Sequence, residues 1–98
     1  MSKFGELIET RIPVLFDFYA EWDEACKGMH PVLRDVAAAL GDKARVIRID
    51  VEQNKELAEA LRVKGQPTLM IYKNGEMKWR QSGEQDVNTL IGLLNDYV

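Results

Sequence analysis

The run Val14-Leu15-Phe16-Asp17-Phe18-Tyr19-Ala20 constrains the fold more than any other segment. It follows Pro13 and is apolar at both odd and even positions. A half-exposed strand alternates apolar with polar, whereas a run apolar on both faces must be covered on both. The segment therefore predicts a buried strand of parallel type between helical layers.

The rest of the chain supplies those layers. Ser2 is placed to cap a short helix carrying Phe4, Leu7 and Ile8 on one side. A long helix begins near Asp23. Its apolar positions are Cys26, Met29, Leu33, Val36, Ala37 and Leu40, at helical spacing, and Gly41 suits its C-terminal end. Pro31 lies inside this helix and is expected to kink it, because it removes one backbone hydrogen bond. Arg45 to Val51 reads as a second strand. Asn54 is placed to cap a third, short helix through Leu57, Ala58 and Leu61. Thr68 to Lys73 and Glu76 to Ser82 read as strands. Between them, Asn74-Gly75 signals a two-residue hairpin, since both positions can take positive φ. A last helix is expected from about Glu84 to Tyr97, with Val87, Leu90, Ile91 and Leu94 facing inward.

Two early strands joined by a helix are expected to be parallel, with a right-handed crossover. The hairpin adds antiparallel strands. The order predicts an α/β fold: a four-stranded mixed sheet with the Val14 strand central and helices on both faces. The length of 98 residues fits one domain spanning positions 1–98, and there is no internal repeat, low-complexity tract or linker.

Charge and composition exclude several function classes. The 13 basic residues are scattered among 16 acidic ones, giving a net charge of −3. A nucleic-acid binder shows a basic face, so nucleic acid is not an expected partner, and neither is an anionic membrane. No apolar stretch approaches the roughly 20 residues needed to cross a bilayer. The start, from Met1 to Arg11, lacks the basic tip and apolar core of a signal peptide. Cys26 is the only cysteine, so no disulfide can form within the chain. Low cysteine use fits a reducing compartment, and a cytoplasmic location is expected.

Four residues could carry chemistry. Asp17 sits mid-strand among aromatics, where burial would raise its pKa. It is either a proton carrier or a strand residue whose side chain finds a backbone or water partner. Cys26 shares the apolar stripe of the long helix, which suits a structural, buried cysteine. It also lies within the first turn, where the helix terminus favours thiolate while burial opposes it. If Asp23 is the N-cap, its carboxylate can accept the Cys26 backbone N–H. Asp23 and Glu24 also bring negative charge towards the thiol, which disfavours thiolate. His30 is the only histidine, and no second ligand is spaced to share a metal with it, so it reads as a surface or packing residue.

Several segments, in order, resemble the thioredoxin family. They are Phe16-Asp17-Phe18-Tyr19-Ala20-Glu21-Trp22, Asp23-Glu24-Ala25-Cys26-Lys27 and Pro31, then Arg48-Ile49-Asp50-Val51, Gly65-Gln66-Pro67-Thr68, Asn74-Gly75 and Gly83. The resemblance runs from about Pro13 to the C-terminus and implies a thioredoxin-like fold. The start is shorter than in typical members, without room for the usual first strand. The family's site is Trp-Cys-x-x-Cys at the start of the second helix. The first cysteine attacks a substrate disulfide and the second resolves the mixed disulfide. Carried over, the attacking position is Asp23 and the resolving position is Cys26. The buried proton-transfer aspartate falls on Asp17. The cis-proline falls on Pro67, although spacing alone would make the Gln66–Pro67 bond trans, and Arg48 stands where members often have lysine. The resemblance implies a peptide-binding surface of Trp22, Gln66, Pro67 and Gly83.

The departure at Asp23 decides the chemistry. Thiol–disulfide exchange requires a thiolate, and a carboxylate cannot replace it. Two functions remain open. One is a redox-homeostasis role with weak, single-thiol exchange through Cys26, completed by an outside thiol. The other is a redox-inactive module that docks extended peptides near Trp22 and Pro67. Protein or peptide segments are the expected partners, with a low-molecular-weight thiol for the first role. No cofactor is expected.

Overall fold

The computed structural model describes residues 3–98, so the cap expected at Ser2 lies outside the described residues. The elements are α1 (Lys3–Ile8), β1 (Val14–Tyr19), α2 (Glu24–Leu40), β2 (Arg45–Asp50), α3 (Lys55–Ala60), β3 (Thr68–Lys73), β4 (Glu76–Ser82) and α4 (Val87–Asn95), with a 3-10 turn at Gly41–Lys43. The sheet order is β2-β1-β3-β4. β1 runs parallel to β2 and antiparallel to β3, and β3 runs antiparallel to β4. The mixed four-stranded sheet with β1 inside it is the one expected from the order of elements.

Two cores lie on opposite faces of that sheet. Leu15, Leu69 and Ile71 pack against Met29, Leu33 and Val36 of α2 and Leu90 and Leu94 of α4. Val14, Phe16, Phe18, Met70 and Tyr72 form the other core, with Phe4 and Leu7 of α1 and Leu57 and Ala58 of α3. Phe4 joins Phe16 and Tyr72, with ring centroids 4.9 and 5.4 Å away. This double coverage explains why β1 is apolar at every position but one. Asp17 and Leu15 are two residues apart, so both side chains face the α2 layer.

Local chemistry fixes the element ends. α2 runs unbroken through Pro31, which is exposed. Gly41 ends it at φ 53°, its N–H bonding the Ala37 carbonyl. Asn74 and Gly75 both take positive φ, 53° and 80°, as the hairpin requires. Their N–H groups bond the carbonyls of Thr10 and Ile8, which ties the hairpin to the end of α1.

One expected cap and three expected boundaries are corrected. Asn54 occupies the N-cap position of α3, but its side chain makes no cap bond. Its amide instead donates to the Asp50 carbonyl at 2.9 Å. The Asp50 carboxylate accepts from the Glu52 and Gln53 N–H groups, which ends β2 one residue before Val51. The last helix begins at Val87 rather than Glu84, because Asp86 caps it by accepting the Thr89 N–H at 2.7 Å. Its far end tightens into Asp96-to-Leu93 and Tyr97-to-Leu94 bonds and stops at Asn95 rather than Tyr97. No helix among the described residues is long and apolar enough to cross a membrane.

Candidate functional site

The candidate site forms where β1 gives way to α2. After Tyr19 the chain turns, and the Asp23 N–H bonds the Ala20 carbonyl at 3.1 Å. Asp23 then stands at the N-cap with extended backbone. Its carboxylate accepts the Ala25 N–H at 2.9 Å and the Cys26 N–H at 3.3 Å. This is the capping geometry expected of an aspartate three residues before Cys26.

Capping aims the thiol inward. Cys26 is 1% exposed, and its Sγ accepts the Ala20 N–H at 3.5 Å. Burial pushes the Cys26 pKa up, and the Ala20 N–H acts against that. The charges of Asp23 and Asp17 push the same way as burial, while Arg48 opposes them. Asp17 rather than Glu24 is the second acidic group that acts on the thiol. Glu24 is turned to Lys27, 3.6 Å away on the helix surface.

Asp17 is fully buried, with Arg48 Nε 3.4 Å from its Oδ2. Its Oδ1 has no hydrogen-bond partner among the described residues. Burial raises its pKa from 3.8 to about 6, with Arg48 pulling the other way. Arg48 stands opposite Asp17 in the β1–β2 register, and its guanidinium lies 4.0 Å from the Tyr19 ring centroid. It therefore joins the buried carboxylate to the surface. Cys26, Lys27, His30 and Arg48 help line a cavity of about 290 Å³ on this side.

The Gln66–Pro67 peptide is cis, as the resemblance implies. Thr68 pairs with Phe18 of β1, which puts Pro67 at the same end of the sheet as Asp17 and the start of α2. The Pro67 carbonyl accepts the Gly83 N–H at 2.8 Å, and Gly83 has φ 98°. Pro67 is buried, whereas Gln66 and Gly83 are partly exposed. Trp22 is 64% exposed, and its indole N–H donates to Glu52 Oε2 at 3.0 Å. That bond to the turn after β2 was not legible in the sequence, since 30 residues separate the two. His30 is exposed, and among the described residues no three His, Cys, Asp or Glu side chains gather to hold a metal.

The Thioredoxin family model matches residues 1–96. A thioredoxin from Rickettsia prowazekii is 33% identical over 91 residues, covering 93% of this chain and 87% of that protein. A chloroplastic thioredoxin Y from Oryza sativa is 42% identical over 91 residues, covering 92% of this chain and 54% of that protein. A solved thioredoxin variant from Halobacterium salinarum superposes with a TM-score of 0.87 at 34% identity, covering 99% of this chain and 84% of that one.

Proposed function

The chain belongs to the thioredoxin family of redox proteins, and from that premise we propose that it works with one thiol, through slow disulfide exchange at Cys26 in a reducing, cytoplasmic setting. The observation that carries this reading is Asp17. A fully buried carboxylate, one oxygen of which meets no partner among the described residues, is costly to keep, and it sits near enough for its charge to raise the Cys26 pKa. With its own pKa about 6, Asp17 is ionised at neutral pH and able to accept a proton.

The exchange balances with a disulfide from outside. Asp17 takes the Cys26 proton. The thiolate attacks one sulfur of a low-molecular-weight disulfide, the Cys26–sulfur bond forms, the disulfide bond breaks, and the second sulfur leaves as a thiolate. An outside thiol, as its thiolate, then attacks the outer sulfur of the mixed disulfide, forms a new small disulfide with it, and Cys26 leaves and regains its proton. The cavity beside Cys26 is lined by two cations, Lys27 and Arg48, against one carboxylate, Glu21, and that excess supports a small, anionic disulfide. Two-cysteine turnover has no place in this cycle, since Asp23 stands at the attacking position.

The test is the pH profile of Cys26 modification by oxidised glutathione. The rate is expected to be low at pH 7 and to climb through pH 9, because the thiol pKa is raised from 9.0. A second, smaller fall is expected below the Asp17 pKa of about 6, where the acceptor is already protonated. Asp17→Asn is expected to remove that inflection. A profile unchanged by Asp17→Asn would reject the proton-acceptor role.

A second reading is favoured by the contrast between Trp22, 64% exposed, and Cys26, 1% exposed. An extended peptide docked beside Trp22, Gln66 and Gly83, over buried Pro67, would meet a carboxylate at Asp23 rather than a thiol. The chain would then bind such segments without reacting with them.

A further inference from the structure

The site at the start of α2 takes the Arg48 side chain from β2 but makes no use of that strand's outer backbone edge. β2 is an edge strand, and among the described residues no strand lies on its outer side. The Arg45 and Val51 N–H groups bond Pro13 and Tyr19 carbonyls, so odd-numbered residues of β2 turn their backbone groups to β1. Alternation then turns the N–H and C=O groups of Val46 and Arg48 outward. The Asp50 carbonyl takes the Asn54 amide and closes one end of the edge.

A groove flanks this edge on each face of the sheet. On the α1 and α3 side it measures about 460 Å³, with Phe4, Leu7, Ile47 and Leu57 in its lining and Lys3 and Arg45 beside them. On the α2 side it measures about 210 Å³, lined by His30, Leu33, Arg34, Ala37, Val46 and Arg48. That second groove contains no acidic residue, although the whole chain carries a net charge of −3. The opposite edge of the sheet is less inviting, since β4 pairs with β3 through a register shift and carries Glu76, Lys78 and Arg80.

We propose that the outer edge of β2 accepts an extended, acidic segment of a partner protein as a fifth strand. Backbone groups of Val46 and Arg48 supply the ladder. Alternate side chains of the segment fall on opposite faces. Carboxylates would meet Arg34 on the α2 side, next to Arg48, which already pairs with Asp17, and apolar side chains would enter the larger groove on the other. Charge selects this occupant over a second copy, because edge-to-edge pairing of two β2 strands would set the same cations against each other.

The probe is an acetylated, amidated octapeptide of alternating Glu and Val, added to isotope-labelled protein. It is expected to shift the Val46 and Arg48 amides and slow their hydrogen exchange, to leave Trp22 and Gly83 unmoved, and to lose its effect with added salt. Val46→Pro removes an outward N–H without touching the β1 ladder, and is expected to abolish binding with the fold intact by circular dichroism. The same peptide N-methylated at alternate residues is expected not to bind, and this arm does not depend on the variant folding. The proposal is overturned if Val46 and Arg48 do not respond, if a Lys-Val octapeptide binds equally, or if the response maps to Trp22 and Gly83. A dimer in sedimentation that Val46→Pro makes monomeric would assign the edge to a second copy instead.

Discussion

Asp23→Cys is expected to raise catalytic disulfide reduction on the order of 100-fold or more over the unaltered chain, since it replaces an outside thiol by one held three residues from Cys26. The new thiol would stand at the N-cap of α2, where the helix terminus favours thiolate, beside exposed Trp22. Cys26 would resolve the mixed disulfide, with Asp17 taking its proton. The substitution also removes a negative charge that raises the Cys26 pKa. It has a cost. The Asp23 carboxylate accepts two N–H groups of the first turn, and losing such a cap takes about 1 kcal/mol from stability. An insulin reduction assay with dithiothreitol supplied reads the gain, and a thermal melt reads the lost cap. Strong turnover by the unaltered chain would refute the one-thiol account. A folded variant without gain would favour the docking reading.

The second large effect concerns stability. The folded-state pKa of Asp17, about 6, lies above the ordinary 3.8, so the folded chain holds this proton more tightly than the unfolded one. The stabilising contribution of the protonated carboxyl is complete below pH 3.8 and is lost as pH rises through about 6. Above that, the buried charge costs the fold on the order of 3 kcal/mol. Asp17→Asn is nearly isosteric and uncharged. It leaves Arg48 without its partner, but that side chain is partly exposed and can turn to water. The variant is therefore expected to be more stable at pH 7 by roughly 1–3 kcal/mol, with the advantage fading towards pH 4. Urea denaturation of both proteins at the two pH values measures it. A variant less stable at pH 7 would show that the ion pair with Arg48 outweighs burial.

Much of this architecture was legible because it rests on period and turn chemistry. The doubly apolar Val14 run had to be covered on both faces, and Asn74-Gly75 admitted few connections. Aspartates at cap positions were harder. Asp23 could be placed because a helical stripe follows it directly. Asp86 could not, because Glu84 and Gln85 fit a first turn equally well. Asn54 held its position and spent its side chain on Asp50, a choice made by the turn after β2. At the site, the types and order of residues suggested Asp17, Cys26 and Pro67. Their energetics needed coordinates. Neither the Ala20 N–H bond to Sγ nor the burial of Asp17 Oδ1 without a partner among the described residues has a signature along the chain. Glu24 and Asp17 are both acidic residues near Cys26, and only the fold shows that Glu24 turns to Lys27 while the charge of Asp17 reaches the thiol.

Cys26 is a buried, neutral thiol in a fold whose relatives are thioredoxins. Its rate with 4,4′-dithiodipyridine, measured at pH 7 in the native chain and again in the chain unfolded by guanidinium, tests this most directly. The native rate is expected to fall at least ~10-fold below the unfolded one, because both burial and a raised pKa reduce the available thiolate. A native thiol that reacts as fast as the unfolded one, or faster, would mean that Cys26 is neither shielded nor held as the neutral thiol.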